Sequence, residues 1–77
     1  MITLDEFING VAEQFEDTDP SEITASTRYQ ELDEWSSLVA MTLVAYVKTE
    51  FDKALTGKEI KDCQTVEDLY NLIKNKL

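Results

Sequence analysis

The chain has 77 residues, with 16 acids against seven bases, no histidine and a single cysteine, Cys63, for a net charge of −9. One small domain over residues 1–77 is expected, and a chain this short buries only about 60 % of its unfolded surface, so a core and a deep catalytic cleft compete for space. These counts exclude histidine-based catalytic triads, ordinary zinc sites and any intramolecular disulfide, and they fit a reducing, cytoplasmic setting.

The charge is unevenly placed. Residues 1–36 hold ten acids and one base, Arg28, whereas residues 37–77 hold six of each. An acidic first half repels nucleic acid and anionic lipid and attracts basic protein surfaces, besides keeping a small protein in solution. Two glycines and one proline point to helices joined by loops, not to a sheet with many turns. Met1 to Glu6 lacks the basic and apolar regions of a leader, and charge breaks every apolar run, so no membrane insertion is expected.

Leu4, Phe7, Ile8, Val11, Ala12 and Phe15 recur at the spacing of one helical face, and Thr3 with Glu6 forms a capping-box pattern before them. A first helix is predicted over about residues 4–15. A long acidic loop follows over 16–35, with Ile23, Tyr29, Leu32 and Trp35 as anchors into the core; loops of this length are usually functional or internally packed. Asp17, Asp19 and Ser21 resemble the start of a calcium loop, but Glu22 stands where glycine is needed and Arg28 where glutamate is needed, which rejects calcium.

A second helix is predicted over about Ser37–Phe51. Ala40, Leu43, Val44, Val47 and Phe51 share its core side. The opposite arc carries Leu38, Val39, Met41, Thr42, Ala45, Lys48 and Thr49, which is unusually apolar for an exposed surface and reads as partner contact in preference to further burial. Thr56 with Glu59 caps a short helix near 57–62. Thr65 with Asp68 caps a last helix over about 66–76, whose Lys74 and Lys76 suit the negative end of its dipole.

The segment Glu34-Trp35-Ser36-Ser37-Leu38-Val39 places serines at the mouth of the second helix. Ser36 can be the N-cap, accepting from the N–H of Leu38 or Val39, which leaves Ser37 as first helical residue with a free hydroxyl. Orphan N–H groups and the positive end of the dipole favour an anionic group there. A doubled-serine helix start with no chemistry is the plain alternative.

Leu32-Asp33-Glu34-Trp35-Ser36-Ser37-Leu38 resembles the Asp-Ser-Leu attachment motif of the acyl carrier protein family, in its Trp-Asp-Ser-Leu form. Glu50-Phe51-Asp52 resembles the close of that family's second helix, and Thr65-Val66-Glu67-Asp68-Leu69 resembles the opening of its last. The resemblance spans most of the chain. It implies an all-α, small four-helix bundle with three longer helices, one short third helix and a long first loop. It implies a 4′-phosphopantetheine arm, taken from coenzyme A by a phosphopantetheinyl transferase and attached to Ser37. The arm's thiol would hold acyl groups as thioesters for acyl-loading and condensing or acyltransferase enzymes of fatty-acid or specialised lipid and polyketide metabolism. A non-catalytic monomer is expected.

Two departures stand out. The family's Asp before the serine is Ser36 here, which caps equally well but makes Ser36 a conceivable alternative attachment site. Acids common on the second helix are replaced by Val39 and Thr42, with acid displaced to Glu31, Asp33 and Glu34. The expected partner surface is therefore Glu31, Asp33, Glu34, Trp35, Leu38, Val39, Met41, Thr42 and Ala45. An acyl chain is expected to shelter among Val44, Val47, Leu55, Ile60, Cys63 and Leu69. Trp35 is either a core anchor or an aromatic that partners grip. Cys63 is expected to pack between the last two helices, and Tyr46 and Met41 to lie against the long loop unless they belong to the partner face. An aminoacyl or peptidyl carrier and an unmodified helical adaptor remain the competing functions.

Overall fold

The computed structural model describes residues 2–77; Met1, counted above in a start without a leader, lies outside them. Among the described residues there are four α-helices and no strand: α1 (Leu4–Ala12), α2 (Ser37–Phe51), α3 (Gly57–Asp62) and α4 (Val66–Lys76). Each starts at a hydroxyl cap. Thr3, Thr56 and Thr65 each complete a reciprocal capping box with Glu6, Glu59 and Asp68, and Ser36 caps α2. Such caps satisfy backbone donors that a helix start otherwise leaves orphaned.

The first helix is shorter than the periodicity predicts. Regular helix stops at Ala12, and the N–H groups of Gln14 and Phe15 bond back only three residues, to Val11 and Ala12. Glu13, Glu16 and Asp17 crowd the negative end of the dipole, where acids are unfavourable. Phe15 is nevertheless buried, so the apolar spacing marked the core correctly while overstating the helix.

The long connection is more ordered than a loop. It contains single 3-10 turns at Pro20–Glu22 and Tyr29–Glu31. Ile23 and Tyr29 are buried and Leu32 and Trp35 pack half-buried on the core, as their apolar character demands. Its backbone is fastened to the first turn of α4, where the N–H groups of Val66 and Glu67 donate to the carbonyls of Thr27 and Ala25 at 3.2 and 2.9 Å. Helix and loop thus satisfy each other's orphan groups.

Phe7 is the centre of the core, wholly buried, with the rings of Tyr46, Phe51 and Tyr70 at 6.1, 6.1 and 5.6 Å. Tyr46 covers α1 instead of the long loop. Its ring lies where a Cβ at Gly10 would stand, so only glycine allows α1 and α2 this approach. Helix α2 ends at Asp52 in a left-handed conformation (φ 54°), with the Lys48 ammonium on its carboxylate at 3.0 Å. Helix α3, only six residues, is tied to the end of α4 by Glu59–Lys76 at 2.7 Å, both side chains largely covered.

The Lys76 contact, followed by the Thr56 N–H, holds the Glu59 carboxyl below its ordinary value near 4.5. Stability from a depressed carboxyl is fully present above the unfolded value and is lost as pH falls through the folded one. Glu59→Gln keeps a capping-box acceptor but loses the charge. The variant should be less stable than the parent at neutral pH in urea unfolding. The gap should close as pH falls below about 4.5; a gap independent of pH would show that the ion pair contributes nothing.

Candidate functional site

The serines at the mouth of α2 have separate roles. The Ser36 backbone is extended (φ −160°, ψ 172°) and its Oγ accepts from the Val39 N–H at 3.3 Å, while its carbonyl accepts from the Ala40 N–H at 3.0 Å. Ser37 is the first helical residue and is exposed. The N–H groups of Ser37 and Leu38 fall among the orphan donors of the helix start. No acid lies in the first turn of α2, so the positive end of its dipole is uncompensated by its own side chains.

Beside the serines opens a cleft of about 220 Å³, lined by Gln30, Trp35, Ser36, Ser37, Ala40, Gly57, Ile60 and Lys61. The 3-10 turn at Tyr29–Glu31 supplies one wall, α2 the second and α3 the third. Trp35 is braced by the Tyr29 ring edge-on at 5.2 Å and the Phe15 ring stacked at 6.3 Å. It therefore anchors the loop and borders the cleft at once.

Helix α3 is held at this cleft by hydrogen bonds. The Tyr29 hydroxyl shares its one proton between the carbonyls of Ile60 and Cys63, at 2.5 and 2.9 Å. The two N–H groups of the Gln30 amide are shared among the Ile60, Lys61 and Cys63 carbonyls, at 3.0, 3.2 and 2.8 Å. These are the carbonyls that a helix C-terminus leaves without intrahelical donors. Burial pushes the Tyr29 phenol well above its ordinary range, keeping it a donor at all ordinary pH. Burial also raises the Cys63 thiol, which sits half-buried after α3 as an inert packing group.

Several expected site residues fall elsewhere. Val39, placed above on the exposed arc, is buried at 7 % exposure because it lies one helical turn before Leu43 and shares its face. Thr42 is half-covered, and its hydroxyl donates to the Val39 carbonyl at 2.7 Å. Glu34 is a fold residue: its carboxylate accepts from the Thr18 hydroxyl at 2.7 Å and the Asp17 N–H at 3.0 Å, and those bonds, the hydroxyl's foremost, hold its carboxyl below the usual range. Glu31 and Asp33 are exposed, though Glu31 has Arg28 at 3.5 Å. Leu38 and Met41 stand out at 70 % and 67 % exposure, with Ala45 exposed beside them.

The residues of the expected acyl shelter lie in and against the core. Val47, Leu55, Ile60 and Leu69 are core residues, and Val44 and Cys63 pack half-buried against them. Of the six, Ile60 alone borders the open cleft at Ser37. The other walls, notably Gln30, Ala40, Gly57 and Lys61, carried no signal in the local sequence, because chain segments about 30 residues apart meet there.

Comparison with known protein families matches residues 6–73 to the phosphopantetheine attachment site family. The chain belongs to that family. It is a phosphopantetheine-carrying carrier protein, and 4′-phosphopantetheine is its covalent prosthetic group. Carrier domains work with a phosphopantetheinyl transferase and with partner enzymes, and they are generally non-catalytic. No curated protein sequence matches the chain. Among the described residues no helix is long and apolar enough to cross a membrane. The residues at the α2 mouth fit such a group: an exposed hydroxyl, a helix start that favours a phosphodiester, and a cleft walled by Trp35, Ala40 and Ile60 alongside it.

The two serines should separate by stability. Ser36→Ala removes the cap and should cost about 0.5–2 kcal/mol in urea unfolding. Ser37→Ala, which removes no hydrogen bond and adds a better helix former, should leave stability within a few tenths of a kcal/mol. Equal losses would mean that both hydroxyls serve the fold.

Proposed function

We propose that the chain is an acyl carrier protein whose phosphopantetheine arm is attached to Ser37. What supports this choice is the division between the serines: Ser36 uses its hydroxyl on the helix cap, whereas Ser37 leaves its own exposed at the same helix mouth. When bound, the arm supplies a flexible terminal thiol on which an acyl group travels as a thioester. The chain's own residues position and present it. The Ser36 cap fixes the start of α2, the Glu34 bonds to Thr18 and Asp17 fix the approach to it, and the Tyr29 and Gln30 bonds hold α3 across the cleft. An acyl cargo is favoured over an aminoacyl or peptidyl one because no glycine precedes Ser37 in the attachment motif.

The deciding experiment is intact mass after incubation with coenzyme A and a broad-specificity phosphopantetheinyl transferase. The parent and Ser36→Ala should each gain one phosphopantetheinyl group, and Ser37→Ala should gain none. Modification of Ser37→Ala but not of Ser36→Ala would move the attachment to Ser36. No gain in any of the three would leave an unmodified helical adaptor.

We further propose that enzymes acting on the arm dock on Leu38, Met41 and Ala45, with Glu31 and Asp33 steering a basic surface into place. Any such enzyme must come to the surface around Ser37, and apolar side chains cover that part of α2. Charge governs encounter rate and salt dependence, and apolar burial governs residence. Met41→Glu or Ala45→Glu should therefore speed dissociation from a cognate enzyme at low and high salt alike, because a charge is buried unpaired. Reversing Glu31 and Asp33 to lysine should slow association chiefly at low salt. Kinetic binding at two salt concentrations separates the two effects; helix-face glutamates without consequence would place the docking surface elsewhere.

A further inference from the structure

Helix α3 carries four charges, Lys58, Glu59, Lys61 and Asp62. Three of them are paired: Lys58 with Asp62 at 2.9 Å, and Glu59 with Lys76 at 2.7 Å. Lys61 has no ion pair among the described residues. It is also the one charged residue lining the cleft beside Ser37, whose other walls are Gln30, Trp35, Ser36, Ala40, Gly57 and Ile60. Its backbone is held in place, because the Gln30 amide donates to the Lys61 carbonyl at 3.2 Å and to both neighbouring acceptors of that turn. The result is an exposed lysine with no ion pair among the described residues, on a fixed backbone that borders the same cleft as the exposed serine, in a chain whose net charge is −9.

We propose that Lys61 is the anion-binding residue of this cleft. Its ammonium pairs with the anion that Ser37 carries, either the phosphodiester of the arm or a carboxylate at the far end of its cargo. The inference rests on the reading of Ser37 as attachment residue. A phosphodiester at Ser37 brings a negative charge to a cleft with no other charged wall. A lysine ammonium is a compact point charge on a flexible stem, suited to a phosphate or carboxylate approaching from an open side. The pairing lays the arm along the Trp35–Ala40–Ile60 wall instead of leaving it free in solvent, and it biases the cargo towards groups that tolerate or carry an anion. Because the site is open to water, the pairing is weak and reversible by salt, as a carrier that must release its arm to enzymes requires.

The test is the reactivity of the Lys61 amine at fixed pH. The full chain is converted with coenzyme A and the transferase, and mass mapping verifies one group on Ser37. Trace acylation with an acid anhydride, read by peptide mass, then compares Lys61 with exposed Lys74 in the same molecule. In low salt, Lys61 in the form that carries the pairing anion should react roughly two- to fivefold more slowly than in the unmodified protein, the range an exposed ion pair provides. Lys74 should not change, and added salt should erase the difference. Two further arms carry a neutral acyl cargo and a dicarboxylic cargo of equal length. Slowing in every arm-bearing form assigns the anion to the phosphodiester; slowing with the dicarboxylic cargo alone assigns it to the cargo's carboxylate. Equal reactivity in all forms overturns the proposal, as does slowing that persists in high salt, which is shielding by the arm. A chain that gains no group on Ser37 overturns the attachment reading itself, and this one with it.

Discussion

The buried hydroxyl of Tyr29 is the contact on which the rest of the molecule depends. Its ring is wholly enclosed, and its hydroxyl reaches two carbonyls at the end of α3, 31 and 34 residues away in sequence. Leaving those acceptors buried without donors would cost about 1–3 kcal/mol each. Gln30 adds its amide to the same turn, so a two-residue stretch of a nominal loop holds a helix that is too short to be stable alone. The same ring braces Trp35, which leads directly into the Ser36 cap. Loop, third helix and serine-bearing helix are thereby fixed to one another through one aromatic residue.

This arrangement lets a thin core do two jobs. The apolar interior is filled by Phe7, Val11, Leu43, Val47, Val66, Leu69 and Ile73, and the surface around Ser37 is made largely from residues outside it, with Ile60 bordering both. That surface has three parts: an exposed hydroxyl at a helix mouth, a cleft walled by three separate segments, and an apolar strip at Leu38 and Met41. The chain has no histidine, and among the described residues there is no cluster of metal-ligating side chains. Positioning is what this fold supplies, through hydrogen-bonded caps and turns whose geometry is short-range and directional. Electrostatics acts at longer range: ten of the sixteen acids precede Ser37, so the approach to α2 is negative while its Leu38–Met41 face is neutral and apolar.

The amino-acid sequence by itself determined the helices and their starts. Hydroxyl caps and reciprocal carboxylates act within three residues, so the beginnings of α2, α3 and α4 and the separate places of Ser36 and Ser37 were legible from local spacing. The end of α1 was not, because apolar periodicity marks burial, and Phe15 is buried on a backbone that has already left the helix. Val39 was misassigned to the open arc for a related reason: a helix apolar nearly all round does not announce which side is covered, and packing around Leu43 made that choice. Only the tertiary structure decided that Glu34 ties back to Asp17 and Thr18, that Tyr46 closes over Gly10, and that Gln30, Gly57 and Lys61 meet beside Ser37. Those contacts join segments far apart in the chain, and a hydrogen bond or an unpaired charge across such a distance leaves no mark on the residues next to it.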